Sequence, residues 1–182
     1  MRARPQRESE LYYPISEVLK GDWAKDHGFK PVGVEITAQQ GGRSTGGRWT
    51  RPDLALVVLR KFPYVPGVYL DVITFEVKPA DAIDALAVFE ALSHRSAATY
   101  SYVIFNVPKN LKEDVRVSLS AVRDTAVQHG IGLITAEHPS DYETWDEIVS
   151  PQRHSPDPAT VNEFIRTQLS NELAHSIMML VR

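Results

Sequence analysis

Residues 53–79 read DLALVVLRKFPYVPGVYLDVITFEVKP. The apolar run at 53–60 predicts a strand. FPYVPG at 62–67, with two prolines and a glycine, predicts a turn. VYLDVITFEVK at 68–78 predicts the returning strand, and Pro79 stops it because proline has no N–H for the ladder. A turn centred between Tyr64 and Val65 pairs antiparallel residues whose numbers sum to 129. Asp53 then faces Glu76, with the two backbones about 5 Å apart. Lys78 lies two residues beyond Glu76 and shares its face. Val77 points the other way with Ile73 and Phe75, toward a core. One end of an apolar hairpin thus collects two acids and a lysine.

Like charges directly opposite each other destabilise a sheet, and a cation between them removes that cost. Two carboxylates, a backbone carbonyl and waters suit Mg²⁺, a hard ion that prefers oxygen. Such an ion acidifies water and stabilises charge on a phosphoryl group. A lysine beside it can orient the water and stabilise developing negative charge. An E-x-K alone is a short pattern, found far more often on a solvated strand face. The elements around it decide its weight.

Downstream, residues 81–98 predict a helix with Ile83, Leu86, Phe89 (or Val88) and Leu92 inward. YSYVIFNV at 100–107 predicts a buried strand. Residues 112–129 predict a second helix, capped by Gly130, and 131–136 a short strand. Strand, helix, strand, helix, strand implies parallel pairing through right-handed crossovers. Upstream, residues 8–20 predict a helix with Leu11, Ile15, Val18 and Leu19 on one face, and Pro14 predicts a late start or a kink. Residues 32–38 alternate like a strand. The expected fold class is α/β, a mixed central sheet flanked by helices. Residues 137–160 are polar, with Pro139, Pro151, Pro156 and Pro158, and read as a linker. Residues 160–181 predict one terminal helix with Val161, Phe164, Ile165, Leu169, Leu173, Ile177 and Leu180 on one side. The expected organisation is a core domain at 1–136, then a linker and helix at 137–182 packed on the core or on a partner.

Arg51-Pro52-Asp53 followed by Phe75-Glu76-Val77-Lys78, in the order helix, strand, hairpin, helix, strand, resembles the PD-(D/E)XK, or restriction-endonuclease-like, nuclease superfamily. The resemblance spans roughly residues 8–136. It implies a restriction-endonuclease-like core, Mg²⁺ (or Mn²⁺) dependence and phosphodiester hydrolysis of the endonuclease type in nucleic acid, DNA ahead of RNA. By the same resemblance Asp53 and Glu76 ligate the metal with the Val77 carbonyl, and Lys78 assists the attacking water. Many members carry a glutamate on the first helix. Glu8 fits best, since it shares a helical face with Leu11, Ile15 and Leu19, with Glu10 and Glu17 as rivals. His94, on the helix after E-x-K, stands where members often place a polar residue. The alternative is a module that keeps the nuclease fold and binds nucleic acid, or regulates, without cleaving.

QQGGRSTGGRWTR at 39–51 predicts a loop with four glycines and three arginines. Arg43, Arg48 and Arg51 are candidates for phosphate contacts, and Trp49 for stacking on a base. The loop leads into Asp53. Charge is uneven: residues 1–60 carry a balance of +3 and residues 61–182 one of −6, so the N-terminal third is the better polyanion face. The chain has 182 residues, 43% hydrophobic and 24% charged, with no cysteine. That excludes disulfides and thiolate zinc sites. Its six histidines lack H-x-x-x-H spacing. No G-x-S-x-G or Walker loop is present, and Gly130-Ile131-Gly132 lacks the third glycine of a dinucleotide site. MRARPQRESE has no apolar run after its arginines, and no stretch approaches ~20 apolar residues. The expectation is a cytoplasmic protein without membrane contact. A homodimer or larger complex is expected to supply specificity.

Overall fold

A computed structural model describes residues 7–39, 51–110 and 112–181. Its centre is a six-stranded sheet in the order β1-β2-β3-β4-β5-β6. The strands are β1 (Pro31–Ile36), β2 (Leu54–Phe62), β3 (Val65–Pro79), β4 (Tyr100–Asn106), β5 (Gly132–Ala136) and β6 (Trp145–Val149). β1, β2 and β3 pair antiparallel, β3, β4 and β5 pair parallel, and β6 returns antiparallel to β5. The α/β class with a mixed sheet is as the pattern predicted.

The hairpin register also follows the expectation. Leu54 pairs with Phe75, Leu56 with Ile73 and Arg60 with Tyr69. The turn does not. The strands run on to Phe62 and Val65, which pair with each other after an irregularity beyond Arg60. Pro63 and Tyr64 make the turn, and Pro66 and Gly67 lie inside β3. Residues 65–72 precede the first β3–β4 pair, Ile73 with Tyr100. A proline without a ladder partner on that side costs the sheet little.

Helix α1 (Glu8–Val18) continues through a π turn at Leu19–Trp23 into α2 (Ala24–Asp26). It neither starts late nor stops at Pro14. Leu11, Ile15 and Leu19 are fully buried, and that packing outweighs the hydrogen bond that Pro14 cannot donate. The face of the sheet under α1 presents Leu54, Leu56, Val58, Ile73, Phe75, Val77, Tyr102 and Ile104. The alternate residues face the other way. There Val103, Phe105 and Leu133 pack under α3 (Leu86–Ser93) and α4 (Glu113–His129). Ala55, Val57 and Val72 pack under α5 (Pro158–Gln168) and α6 (Asn171–Leu180). α4 ends on Gly130 at φ 65, ψ 31, the left-handed cap that glycine adopts without strain.

Three expectations need correction. The helix expected at 81–98 is α3 alone, flanked by 3₁₀ turns at Ala80–Ala82 and His94–Ser96. The stretch expected as a linker contains β6, so the sheet extends past residue 136. The terminal helix is two helices. Leu169 leaves helical geometry, and the Ser170 side chain caps the second by accepting from Leu173 N–H. Glu35 of β1 accepts from the Ser170 N–H at 2.8 Å and from its hydroxyl, tying the break to the sheet. The two helices thereby lie on their own core. Among the described residues no helix is long and apolar enough to cross a membrane.

Candidate functional site

Asp53 sits one residue before β2. Its N–H donates to Phe75 O at 3.1 Å, and its carbonyl accepts from Thr37 and Ala38 N–H at 2.8 and 3.2 Å. The β2–β3 ladder ends at Leu54 with Phe75, and Asp53 bonds to Phe75 as well, so the expected backbone pair of Asp53 with Glu76 does not form; the two carboxylates meet just past the end of the ladder. Both residues are 6% exposed. Asp53 Oδ2 accepts from Val77 N–H at 2.8 Å. In an extended strand N–H and C=O of one residue leave on the same edge. The Val77 carbonyl is therefore on the edge that faces Asp53, as its expected role as a ligand requires.

Glu8 comes from the first turn of α1. Its carboxylate, with those of Asp53 and Glu76, offers three oxygens that all lie within 4.8 Å of one another. The rivals are elsewhere. Glu10 accepts from the Arg7 N–H at 3.3 Å at the helix start, and Glu17 is exposed. Lys78 Nζ stands 2.6 Å from Glu76 Oε1, 3.0 Å from Glu90 Oε2 and 3.6 Å from Glu8 Oε2. The Glu90 contact is an ion pair rather than an aligned hydrogen bond, since its Oε2 meets no hydrogen-bond geometry. His94 is 3% exposed, with Nε2 3.9 Å from Glu76 Oε2 and neither ring nitrogen hydrogen-bonded among the described residues.

Two residues escaped the sequence reading. Tyr12 lies one helical turn after Glu8, and its hydroxyl is 2.7 Å from Glu8 Oε1 and 2.8 Å from Asp53 Oδ1. Glu90 of α3 lies four residues before His94, which opens the 3₁₀ turn that follows. In each case the i, i+4 spacing to a candidate already in hand was the available signal. Arg43, Arg48 and Trp49 fall outside the described residues. Arg51 is half-buried, and its Nε donates to Gln168 Oε1 of α5 at 3.2 Å.

A phenol carries one proton, so Tyr12 donates to only one of its two carboxylate neighbours at a time. The second short contact calls for a proton on the acid, or for a cation nearby. The electrostatics agree. Burial pushes Asp53 up to about 6 against the pull of Val77 N–H and Tyr12. Burial, then the Asp53 charge, pushes Glu76 up to about 8 although Lys78 opposes it. Burial, then Glu8 and Asp53, raises the Tyr12 phenol, which stays protonated. Burial works against the Lys78 ammonium, but contact with Glu76 and Glu90 outweighs it and holds its pKa above the ordinary lysine value. Burial, then Lys78, drops His94 to about 3, so its ring is neutral and makes no ion pair with Glu76.

No family model matches the chain, and no curated protein matches it. A protein of unknown function from Silicibacter pomeroyi is similar in structure over 99% of this chain and 91% of its own, at 13% identity and a TM-score of 0.46. Likeness at that level says nothing of function.

The residues themselves fit a divalent cation. Opposite ligands of six-coordinate Mg²⁺ at its 2.0–2.1 Å bonds lie about 4.2 Å apart. Three carboxylate oxygens within 4.8 Å of one another lie near enough to share one such ion once the side chains draw in. An all-oxygen donor set suits Mg²⁺ or Mn²⁺. The upward push on both buried acids comes first from burial and then from a neighbouring carboxylate, and a bound cation offsets both.

Proposed function

We propose that the chain is a divalent-cation-dependent nuclease of the restriction-endonuclease-like kind, hydrolysing phosphodiester bonds in DNA. One observation carries the reading. Carboxylates from three separate elements, Glu8 of α1, Asp53 before β2 and Glu76 of β3, converge within 4.8 Å, with the Lys78 ammonium beside them. A scaffold gains nothing from that convergence, because burying like charges together is destabilising.

Glu8, Asp53, Glu76 and the Val77 carbonyl would hold the cation. When bound, Mg²⁺ supplies Lewis acidity toward water and the phosphoryl oxygens. Tyr12 stands between the Glu8 and Asp53 carboxylates and donates to one of them at a time, and Val77 N–H fixes the second Asp53 oxygen. Lys78 remains an ammonium, so it cannot take a proton from water. It donates hydrogen bonds, orienting the attacking water and offsetting negative charge on the phosphoryl group. The β2 start is also where the Arg51-bearing segment enters, which suits a substrate approach from that side.

The rival, a nuclease-fold module that does not cleave, draws on one observation: the Lys78 ammonium stands 2.6 Å from Glu76 and already supplies a positive charge to the cluster. Purified protein incubated with plasmid, linear duplex and single-stranded DNA and RNA, with Mg²⁺, Mn²⁺ or chelator, separates the two. Cation-dependent cleavage of DNA supports the nuclease. Binding without cleavage under every condition supports the module.

A further inference from the structure

Lys78 touches three carboxylates from three elements, and only two of them belong to the group that converges for a cation. Its shortest contact, 2.6 Å, is with Glu76. A divalent cation on Glu8, Asp53 and Glu76 claims both Glu76 and Glu8 and repels the ammonium. Among the described residues the remaining carboxylate in contact with Lys78 is Glu90, 3.0 Å from Nζ and outside the cation trio. Its side chain is 35% exposed, and its Oε2 is enclosed by protein. A buried, otherwise unpaired carboxylate oxygen is costly to keep, and its one counter-charge here is the lysine.

We infer that Glu90 is a positioning residue, the seat to which Lys78 moves when a divalent cation occupies Glu8, Asp53 and Glu76. Without a bound cation the Lys78 ammonium rests against Glu76 at 2.6 Å. Glu90 lowers the cost of displacing it and then holds the ammonium at the rim of the site. Glu90 does not ligate the cation. This rests on the cation site proposed above and adds how that site exchanges one positive charge for another.

The test needs no substrate. Mn²⁺ binding is measured by calorimetry and by loss of the free-ion electron-paramagnetic-resonance signal in wild type, Glu90→Gln, Lys78→Met and the double variant. Glu90→Gln keeps the shape and removes the charge, and a melt in chelator checks that each variant is folded. Outer-shell partners typically contribute 10–100-fold in metal affinity. Glu90→Gln is expected to weaken Mn²⁺ binding about tenfold when Lys78 is present. With Met at 78 there is no ammonium to displace, so the same change is expected to alter affinity by no more than about twofold. Lys78→Met alone is expected to tighten binding. An equal loss in both backgrounds would show that Glu90 acts as a ligand or a bare charge, and would overturn the inference. So would no loss in either. A wild type that binds no Mn²⁺ would overturn the cation site itself. Binding without coupling to Lys78 would overturn the Glu90 role alone.

Discussion

Replacing Glu76 with glutamine should make the cation-free protein more stable, and by an amount set by pH. Glu76 is held up at about 8 in the fold, against 4.5 for the ordinary side chain. A folded-state pKa above the unfolded one means that the fold binds the proton more tightly. The associated stability is fully present below pH ~4.5 and is lost as pH rises through about 8. At about 1.4 kcal/mol per pH unit the ceiling is about 5 kcal/mol. Asp53 relieves the same repulsion, so the share that glutamine removes is about 2–3 kcal/mol. For a chain of this size that is roughly 4–12 °C in melting temperature. The assay is thermal unfolding of wild type and Glu76→Gln in chelator from pH 5 to 8.5. The two curves should nearly coincide at pH 5, where wild-type Glu76 is protonated and resembles glutamine. They should separate steadily upward, the variant being the more stable. Saturating Mg²⁺ should reverse the order, since only wild type keeps the full ligand set. A variant no more stable than wild type at pH 8 in chelator would refute the claim that burial, with the neighbouring Asp53 charge, holds Glu76 up in this site.

Lys78→Ala should abolish DNA cleavage while retaining cation binding, measured by product formation and by calorimetry on the same preparation. Tyr12→Phe should cost about 1.5–3 kcal/mol in chelator melts, the value of a hydrogen bond to a charged group, and should weaken Mg²⁺ affinity because Glu8 and Asp53 lose their shared donor. Replacing Arg43, Arg48 and Arg51 together should weaken DNA binding and flatten its salt dependence in fluorescence-anisotropy titrations. Unchanged affinity and slope would clear this segment of phosphate contacts.

The hairpin was legible because an apolar β-pair with one buried face tolerates no one-residue slip. Glu76 follows from that register, and Asp53 lies one residue beyond its last pair. Glu8 was legible from helical phase, since it shares a face with Leu11 and Ile15. Glu90 and Tyr12 were not singled out, because their roles arise where α3 and α1 approach β3 in space, and single-helix periodicity reports only which face is apolar. β6 escaped because its residues WDEIV bury only Val149 fully and sit between Pro139 and Pro151. An edge strand that is mostly half-exposed lacks the apolar run that marks a central one. The break between α5 and α6 lies inside one continuous apolar stripe. Its signals were local: Asp157 before Pro158 at the first helix, and Ser170 three residues before Leu173 at the second.

Whether Glu8, Asp53 and Glu76 hold a divalent cation is decided most directly by anomalous diffraction from crystals grown with Mn²⁺. The expected result is an anomalous peak within bonding distance of one oxygen from each of the three carboxylates and of the Val77 carbonyl, and its disappearance in Glu76→Ala. A peak elsewhere, or none at this position at saturating Mn²⁺ and neutral pH, would contradict it.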